Sequence, residues 1–331
     1  MNKQVIITGG AGFIGSHLVD KLLAQGGWQV TVIDNYDHNY PRSAKDANIA
    51  GPLADRNYTF IEGDILDDAV LEKAFAGKEG RETTVVHLAA KVGVRPSIAQ
   101  PLAYHRVNVT GTLKVLEAAR AAKVRHLVLA SSSSVYGVNP NVPWEEGDMD
   151  LRPISPYAVS KLAAEQFART YARLHGLNAT VLRFFTVYGP RQRPDLAIHS
   201  FFSKIIGGSP IKQFGDGTTG RDYTYVDDIV DGISAALHRS LQAKDGEGAF
   251  DIFNLGNSKV VQLRDLIAAI EKETGRKAII EQLDEQPGDV PRTCANVSRS
   301  KQDLGYEPTV DIETGLRRFH EWYMSLSVPQ E

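Results

Sequence analysis

Cysteine is almost absent from the chain, which contains only Cys294. A single thiol excludes an internal disulfide framework and is typical of a protein in a reducing compartment. A charge excess is missing as well: the net charge at pH 7 is −3, which gives no electrostatic case for binding nucleic acid or an anionic membrane. These absences predict a cytoplasmic protein with neither nucleic acid nor membrane as a partner.

Long apolar runs are also lacking, since no stretch reaches the length that a helix needs to span a bilayer. The residues before the first apolar segment contain no hydrophobic region of a secretory signal. We find no fixed-period repeat and no low-complexity segment. The 331 residues are 42% hydrophobic and 23% charged, as in ordinary globular proteins, and suffice for one large domain or two closely associated ones.

A glycine-rich turn stands near the start of the sequence. An apolar run at residues 5–8 is followed by glycines spaced G-x-x-G-x-x-G and then by apolar residues at helical spacing, which predicts a strand, a tight turn and a helix. Glycines let the backbone approach a pyrophosphate at the helix N-terminus, so the pattern predicts a dinucleotide site. Its candidate residues are Gly9, Gly12, Phe13, Ile14 and Gly15.

The second predicted strand ends at Asp34. An acidic residue about 20 positions after the glycines accepts hydrogen bonds from an adenosine ribose, and its charge would repel the 2′-phosphate of NADP. Asn35, also a candidate contact, and Tyr36 bring no positive charge, so the pattern favours NAD. The nearest base is Arg42, within a polar stretch from 37 to 57 that is predicted as a long loop.

Two further predicted strands, at residues 58–61 and 84–88, run toward the same edge of the sheet. Asp64, which follows the first of them, either contacts an adenine or caps the next helix. Small side chains after the second strand leave room for a cofactor. We assign the following residues to the cofactor crevice: Asp64, Ile65, Leu88, Ala89, Ala90 and, in a helix predicted from about 97 to 123, Asn108.

Tyr157 and Lys161 lie one helical turn apart. Ser155 is a good helix N-cap and Pro156 suits the first helical position, so the two side chains share one face of a predicted helix. An unperturbed phenol has a pKa of about 10, and a neighbouring ammonium favours the phenolate. The pair is therefore a candidate general base; an ordinary surface helix with the same spacing is the alternative.

Four serines, residues 131–134, follow a strand predicted at 126–130. They form either a simple turn or a hydrogen-bonding floor for a polar ligand. Together with the glycine turn, Asp34 and the tyrosine–lysine pair, they make the chain resemble an extended short-chain dehydrogenase/reductase and, within that superfamily, a nucleotide-sugar epimerase. The resemblance covers nearly the whole sequence, and its motifs are specific in combination.

The resemblance implies an α/β fold, with a doubly wound parallel sheet of the Rossmann type and a smaller C-terminal α/β substrate domain. The NAD-binding domain is expected to span residues 1–182, with a later segment, about 226–255, returning to it. Residues 183–331 are expected to form mainly the substrate domain. A homodimer is implied as well, since relatives commonly pair through helices near 97–122 and 156–175.

The resemblance also assigns a chemistry, with Ser132, Tyr157 and Lys161 as the catalytic residues. In such enzymes the tyrosinate takes the proton of the sugar 4-hydroxyl while C4 gives a hydride to NAD. The 4-keto sugar then turns in the pocket, and the hydride returns to its other face. The net redox change is zero, so NAD is expected as a tightly held cofactor, and no metal is expected.

The serine run favours an epimerase over related enzymes. Dehydratases of the family resemble Thr-Asp-Glu where this chain has Ser132, Ser133 and Ser134, and UDP-glucuronate decarboxylases usually carry Thr-Ser-Glu there. A hydroxyl does not replace a carboxylate in proton transfer near neutral pH. Residues 92–95 and 184–190 resemble UDP-glucuronate 4-epimerases in particular. An epimerase of UDP-glucose and UDP-galactose, or of their N-acetyl forms, is the alternative, and a non-catalytic NAD-sensing module is another.

By the same resemblance, Val187 lies against the nicotinamide and Arg221 meets the nucleotide diphosphate. Ser133, Ser134 and Thr186 are expected to donate hydrogen bonds to a glucuronate carboxylate. Arg193 adds a cation there, with a solvated basic loop as the alternative. The full set of residues expected at the UDP-sugar also includes Arg95, Phe214 and Arg292, the last of these in a predicted substrate loop at 287–293.

Overall fold

The structure is a computed structural model that describes residues 3–38, 41–78, 80, 82–243, 247–284 and 290–326. Its strands are β1 (Lys3–Thr8), β2 (Trp28–Asp34), β3 (Tyr58–Glu62), β4 (Thr83–His87), β5 (His126–Ser132), β6 (Asn178–Phe184), β7 (Thr186–Tyr188), β8 (Ile211–Phe214), β9 (Gly220–Tyr225), β10 (Phe250–Leu255), β11 (Val260–Gln262) and β12 (Ile280–Leu283). Its α-helices are α1 (Phe13–Gln25), α2 (Arg42–Ile49), α3 (Asp68–Phe75), α4 (Val94–Ala99), α5 (Pro101–Tyr104), α6 (Thr112–Ala121), α7 (Pro156–His175), α8 (Ala197–Ile206), α9 (Val226–Gln242), α10 (Leu263–Thr274), α11 (Ser298–Leu304) and α12 (Ile312–Ser325).

A parallel sheet forms the centre of the molecule. In the described part of the chain it has seven strands, in the spatial order β10-β6-β5-β4-β1-β2-β3. Alternate residues of β1 serve opposite faces: Val5 and Ile7 pack with α1 and α9, while Ile6 packs with α3, α6 and α7. Because helices cover both faces, the inner strands β4 and β6 are buried along their whole length, their polar residues included. The predicted doubly wound sheet of the Rossmann type is confirmed.

The strand order reverses next to β1, which pairs with β2 on one side and with β4 on the other. Parallel strands end at one edge of a sheet, and there the chain continues from β1 toward β2 on one side and from β4 toward β5 on the other. A crevice therefore opens at the end of β1, which is the place where doubly wound sheets bind ligands.

A smaller group of elements follows β6. Strands β7, β9 and β11 form one small sheet, β8 pairs with β12, and α8, α10 and α12 pack together through residues such as Phe202, Leu266 and Phe319. Helix α9 and β10 return to the main sheet. The predicted domain boundary near residue 182 stays a prediction. Across the described residues, none of the helices combines the length and the apolar character that crossing a membrane requires.

The stretch from 37 to 57 was predicted as a long loop, and this prediction was wrong, because the stretch contains α2 and a 3₁₀ turn at Pro52–Ala54. Helix α2 has only eight residues and few of them are apolar, so its sequence reads as a polar loop. Contacts with distant residues hold it in place: Asn48 Nδ2 donates to Ala11 O at 3.0 Å, and Lys45 Nζ donates to Asp34 Oδ1 at 3.0 Å.

The helix predicted from about 97 to 123 is divided into α4, α5, a π-helical turn at His105–Gly111, and α6. Pro101 begins α5, as expected for a residue that lacks a backbone N–H. Asn108 lies in the π-helical turn, a local geometry that is frequent at functional sites.

Helix α7 is fixed to the sheet by a buried ion pair. Glu165 of α7 and Arg183 of β6 are almost inaccessible, and the guanidinium donates to the two carboxylate oxygens at 2.9 and 2.7 Å. Ser131 Oγ donates to the same carboxylate at 2.5 Å, and the Arg183 guanidinium stacks 4.8 Å from the centre of the Tyr136 ring. A buried charge is tolerated when it is paired, so this network positions α7 against β5 and β6.

We expect Glu165→Ala to lower the free energy of unfolding by about 3–5 kcal/mol, because it leaves the Arg183 guanidinium buried without its counter-ion. Urea denaturation of the wild type and the variant measures the difference. The matched control is Lys301→Ala, which breaks an exposed ion pair with Glu307 and should cost at most about 1 kcal/mol. A comparably small loss for Glu165→Ala would contradict the anchoring role.

Candidate active site

A cavity of about 580 Å³ opens at the crevice beside β1. The glycine turn, the loops after β2 to β5, the start of α7 and the segment after β6 line this first cavity. A second cavity of about 600 Å³ adjoins it and shares Arg95, Asp195 and Leu196 with it. The two cavities are therefore parts of one cleft that runs from the main sheet to the smaller group of elements.

Two glycines of the turn in the wall of the first cavity have no room for a side chain. Gly9 has a φ of +76°, and a Cβ there would lie 2.9 Å from Ala89 N. At Gly15 a Cβ would lie 2.3 Å from the Gly9 carbonyl oxygen. Helix α1 begins directly after Gly12 and, within the described residues, has no side-chain cap. Its first N–H groups are therefore left for an anionic ligand such as a pyrophosphate.

Asp34 is buried in the cavity wall, and both oxygens of its carboxylate accept hydrogen bonds. Oδ2 accepts from the backbone of the glycine turn at 3.2 Å, while Oδ1 accepts from Tyr36 N at 2.9 Å and from Lys45 Nζ at 3.0 Å. From the sequence, Arg42 was the only base considered near this position, and it pairs with Glu62 instead. Lys45 was missed because it reaches Asp34 from a helix that was predicted as loop.

The other predicted cofactor residues also line the first cavity, with one exception; those that line it are Gly9, Gly12, Phe13, Ile14, Gly15, Asn35, Asp64, Ile65, Leu88, Ala89, Ala90 and Val187. The exception is Asn108, which lies outside the lining. Its Oδ1 accepts from Lys91 N at 2.7 Å, and its Nδ2 donates to Lys91 O and to Ser160 Oγ, each at 2.9 Å. These hydrogen bonds hold the loop after β4, and the predicted cofactor contact of Asn108 stays a prediction.

Tyr157 and Lys161 lie in the first cavity on one face of α7. Ser155 starts this helix, because its side chain accepts from Ala158 N at 3.2 Å. Both functional side chains are buried, and Lys161 Nζ donates to Ala130 O at 2.9 Å. The hydroxyl and the ammonium are thus fixed by the same capped helix, as the sequence spacing indicated.

The surroundings shift the pKa of both groups. Burial raises the pKa of Tyr157, whereas a hydrogen bond with Ser132 and the positive charge of Arg193 lower it. Burial lowers the pKa of Lys161 to about 8, and the carboxylate of Glu165 acts in the opposite direction. Lys161 therefore keeps its proton below about pH 8. The sequence did not predict that Arg193 lowers the pKa of Tyr157.

The hydroxyls of the serine run lie in two different environments. Ser131 donates into the buried network of Glu165, as described above. Ser132, Ser133 and Ser134 remain partly exposed at the first cavity. Ser132 Oγ donates to Ser134 Oγ at 3.1 Å and accepts from Ser134 N at 3.2 Å, which holds the tight turn after β5.

The segment after β6 brings Thr186, Val187 and Arg193 to the same cavity. The Arg193 guanidinium donates to both carboxylate oxygens of Asp195, at 2.9 and 2.7 Å. Gln192 Nε2 donates to Val187 O at 3.1 Å and so stabilises the segment. Because Asp195 offsets the charge of Arg193, hydroxyl groups supply much of the hydrogen-bonding capacity at this end of the cavity.

The second cavity contains three of the predicted substrate residues, Arg95, Phe214 and Arg221, and the Arg95 guanidinium stacks 4.4 Å from the centre of the Phe214 ring. Lys204 and Lys212 line it too; nothing in the sequence distinguishes them from surface lysines. Positive side chains suit an anionic ligand such as a diphosphate. In the ranges given above, no three His, Cys, Asp or Glu residues are grouped in a way that suits a metal ion.

Arg292, the fourth predicted substrate residue of this region, is exposed and is not among the residues that line either cavity. Its backbone forms a bridge with Gly220 at the edge of β9. Part of the predicted substrate loop at 287–293 coincides with residues 285–289, which lie outside the described residues.

Known proteins resemble the chain over nearly its whole length. A family model described as GDP-mannose 4,6 dehydratase matches residues 6–319. UDP-glucuronate 4-epimerase 4 of Arabidopsis thaliana is 42% identical over 334 residues, which cover 97% of this chain and 75% of that protein.

Solved structures of two epimerases have the same fold over 98% of this chain. One is UDP-glucuronic acid 4-epimerase from Bacillus cereus in complex with UDP-glucuronic acid and NAD, with 34% identity, a TM-score of 0.88 and 99% of that chain covered. The other is UDP-glucose 4-epimerase from Thermotoga maritima with UDP-glucose, with 32% identity, a TM-score of 0.86 and 100% of that chain covered. The chain therefore belongs to the GDP-mannose 4,6 dehydratase family of extended short-chain dehydrogenase/reductases.

Proposed function

We propose that the chain is an NAD-dependent 4-epimerase that interconverts UDP-glucuronate and UDP-galacturonate. The observation that carries this proposal is the surroundings of Tyr157 in the first cavity, where Ser132, Ser133, Ser134 and Thr186 present hydroxyl groups. This wall offers a base for the sugar 4-hydroxyl and neutral donors for a C6 carboxylate. It lacks, within the serine run, the carboxylates that a dehydratase uses for proton transfer. The similarity to UDP-glucuronate 4-epimerases supports the same substrate.

NAD fits the first cavity. The glycine turn leaves backbone N–H groups at the start of α1 for a pyrophosphate, and Asp34 offers its carboxylate to ribose hydroxyls. We assign the cofactor contacts to the cavity-lining residues described above, with Val187 at the nicotinamide end. NAD, when bound, supplies the acceptor and then the donor of a hydride at C4 of the sugar.

Tyr157 acts as the base in this proposal. Its phenolate takes the proton of the 4-hydroxyl as C4 is oxidised, and returns a proton to that oxygen after the 4-keto sugar has turned. Ser132 and Arg193 stabilise the phenolate, since both lower the pKa of Tyr157. Lys161 adds a positive charge on the same helix face at pH values below about 8.

The second cavity holds the nucleotide part of the substrate in this proposal. Arg221 and Arg95 meet the diphosphate, together with Lys204 and Lys212. An arginine suits this role because its fork of N–H donors matches phosphate oxygens. Phe214 provides the apolar surface beside them. Arg292 receives no role, since it does not line the cavity.

The chemistry of the oxidised sugar explains why hydroxyl donors suit the position beside it. Oxidation at C4 turns a glucuronate into a β-keto acid, which loses CO₂ readily. Hydrogen bonds from Ser133, Ser134 and Thr186 are proposed to fix the carboxylate in an orientation that keeps the bond to CO₂ out of overlap with the ketone. Asp195 engages the Arg193 guanidinium, so we assign the carboxylate to the hydroxyls.

An assay without added NAD tests the proposed function. We expect the purified protein to convert UDP-glucuronate to UDP-galacturonate and to leave UDP-glucose unchanged, as followed by NMR of the sugar nucleotides. Tyr157→Phe should lower the rate by about 10²-fold or more, because the general base is lost. Formation of UDP-galactose alone would favour the UDP-glucose epimerase instead. Full turnover by Tyr157→Phe would exclude the assigned base.

We expect Thr186→Ala and Ser133→Ala to raise the pentose fraction among the products about tenfold. One hydrogen bond to a charged group contributes roughly 1.5–3 kcal/mol, and each variant removes one from the carboxylate. NMR of the products from UDP-glucuronate measures this fraction. Thr170→Ala, on the exposed side of α7, is the control and should not change it. If the two cavity variants form no more pentose than this control, the orienting role is wrong.

A homodimer and a cytoplasmic location belong to the same proposal. The apolar side chains of Ile98, Leu102 and Val159 lie on α4, α5 and α7 with exposed fractions of 49%, 83% and 54%. Exposed apolar patches of this kind mark interaction surfaces. The location is supported by the single cysteine, and cell fractionation tests it.

We expect light scattering after gel filtration to give twice the chain mass of 36.3 kDa. Leu102→Glu places a charge on the proposed interface and should shift the protein to the monomer. Leu53→Glu is the control, because Leu53 is also an exposed leucine, with 58% of its surface accessible, but lies in the 3₁₀ turn at Pro52–Ala54. A wild-type monomer, or a dimer that persists in Leu102→Glu, would argue against this interface.

A further inference from the structure

The first cavity contains an ion pair to which the proposed reaction gives no role. Lys91 Nζ donates to Asp37 Oδ2 at 3.2 Å, and the two side chains are 23% and 33% exposed. Both residues line the cavity. An ion pair that is mostly shielded from water and faces a binding cavity is a candidate for direct action on the ligand or on its escape.

The sheet topology shows which loops this ion pair connects. Asp37 lies shortly after the end of β2, and Lys91 lies shortly after the end of β4. Strand β1, which leads into the glycine turn, pairs with β2 on one side and with β4 on the other. The ion pair therefore connects the two loops that flank the glycine turn. Strands β2, β1 and β4 and these two loops, joined by the ion pair, form a closed ring at this end of the cavity.

Both ends of the connection are held in place. The side-chain amide of Asn108 accepts a hydrogen bond from Lys91 N and donates one to Lys91 O. The same amide also donates to Ser160 Oγ of α7. On the other side, Asp37 N donates to Asn35 Oδ1 at 3.0 Å, and Asn35 Nδ2 donates to Asp64 Oδ2 at 3.0 Å. The side chains of Lys91 and Asp37 thus meet between two anchored loops.

We propose that the Lys91–Asp37 ion pair is a strap that closes across a dinucleotide held on the glycine turn and slows its release. This inference rests on the proposed use of NAD. It assigns to Lys91 a positioning role that works through Asp37, and it gives Asn108 the task of holding the strap. A cofactor that is regenerated in every cycle has no need to leave, so a closed strap does not limit turnover.

The test measures the release of NAD from the NAD-loaded protein, with an excess of alcohol dehydrogenase and ethanol to reduce each released NAD⁺ to NADH. We expect Lys91→Met and Asp37→Asn each to speed release about three- to tenfold, in line with an ion pair of modest strength. The double variant should release NAD no faster than the faster single variant, since both changes remove one interaction. Raising the salt from about 0.05 to about 1 M should speed release from the wild type alone, because salt screens the pair.

Lys114→Met is the matched control, because it removes another partly exposed lysine whose ion pair, with Asp68, lies outside the cavity. Its release rate should equal that of the wild type. Rapid release from Lys91→Met combined with wild-type release from Asp37→Asn would mean that Lys91 holds the cofactor directly, and would overturn the strap. The strap would also be overturned if the two substitutions multiplied their effects on the release rate in the double variant. Failure of the wild type to bind NAD at all is a distinct result, which would refute the proposed function itself.

Discussion

The close approach of the backbone to itself at the glycine turn is the constraint on which the cleft depends. A Cβ at position 15 would meet the Gly9 carbonyl at 2.3 Å, so only glycine at this position lets α1 begin at the end of the tight turn that follows β1. This start leaves the N–H groups of α1 at the cavity wall and keeps the crevice between the loops after β2 and β4 open. The same sheet then fixes β5, β6 and α7, which bring the serines, Thr186 and Tyr157 to the next part of the cavity.

Charges in the first cavity are largely offset in pairs. The pairs are Asp34 with Lys45, Asp37 with Lys91, and Arg193 with Asp195. Each pair fixes a polar group while adding little net field, which suits a cavity for two ligands that both carry charge. The second cavity is different, because positive side chains outnumber acidic ones among its lining residues. The lining of the cleft is therefore most positive in the second cavity.

The sequence predicted those features that depend on short segments. The glycine turn and the capped helix with Tyr157 and Lys161 are local patterns, and the structure places them in one cavity. The features that were missed depend on contacts between distant residues. Lys45 reaches Asp34 from a short helix with few apolar residues, and Asn108 bonds the backbone of Lys91 from a π-helical turn. Neither arrangement has a signature in the neighbouring sequence, because tertiary packing decides it.

The division of the serine run has an evolutionary consequence. Ser131 belongs to the buried network that anchors α7, whereas Ser132, Ser133 and Ser134 touch the cavity. A change at the last two positions, such as the carboxylates of related dehydratases, alters the proton-transfer groups without disturbing the anchor. Neighbouring residues thus serve the fold and the cavity separately, so a substitution at Ser133 or Ser134 can change the groups that face the cavity while the anchor of helix α7 stays in place.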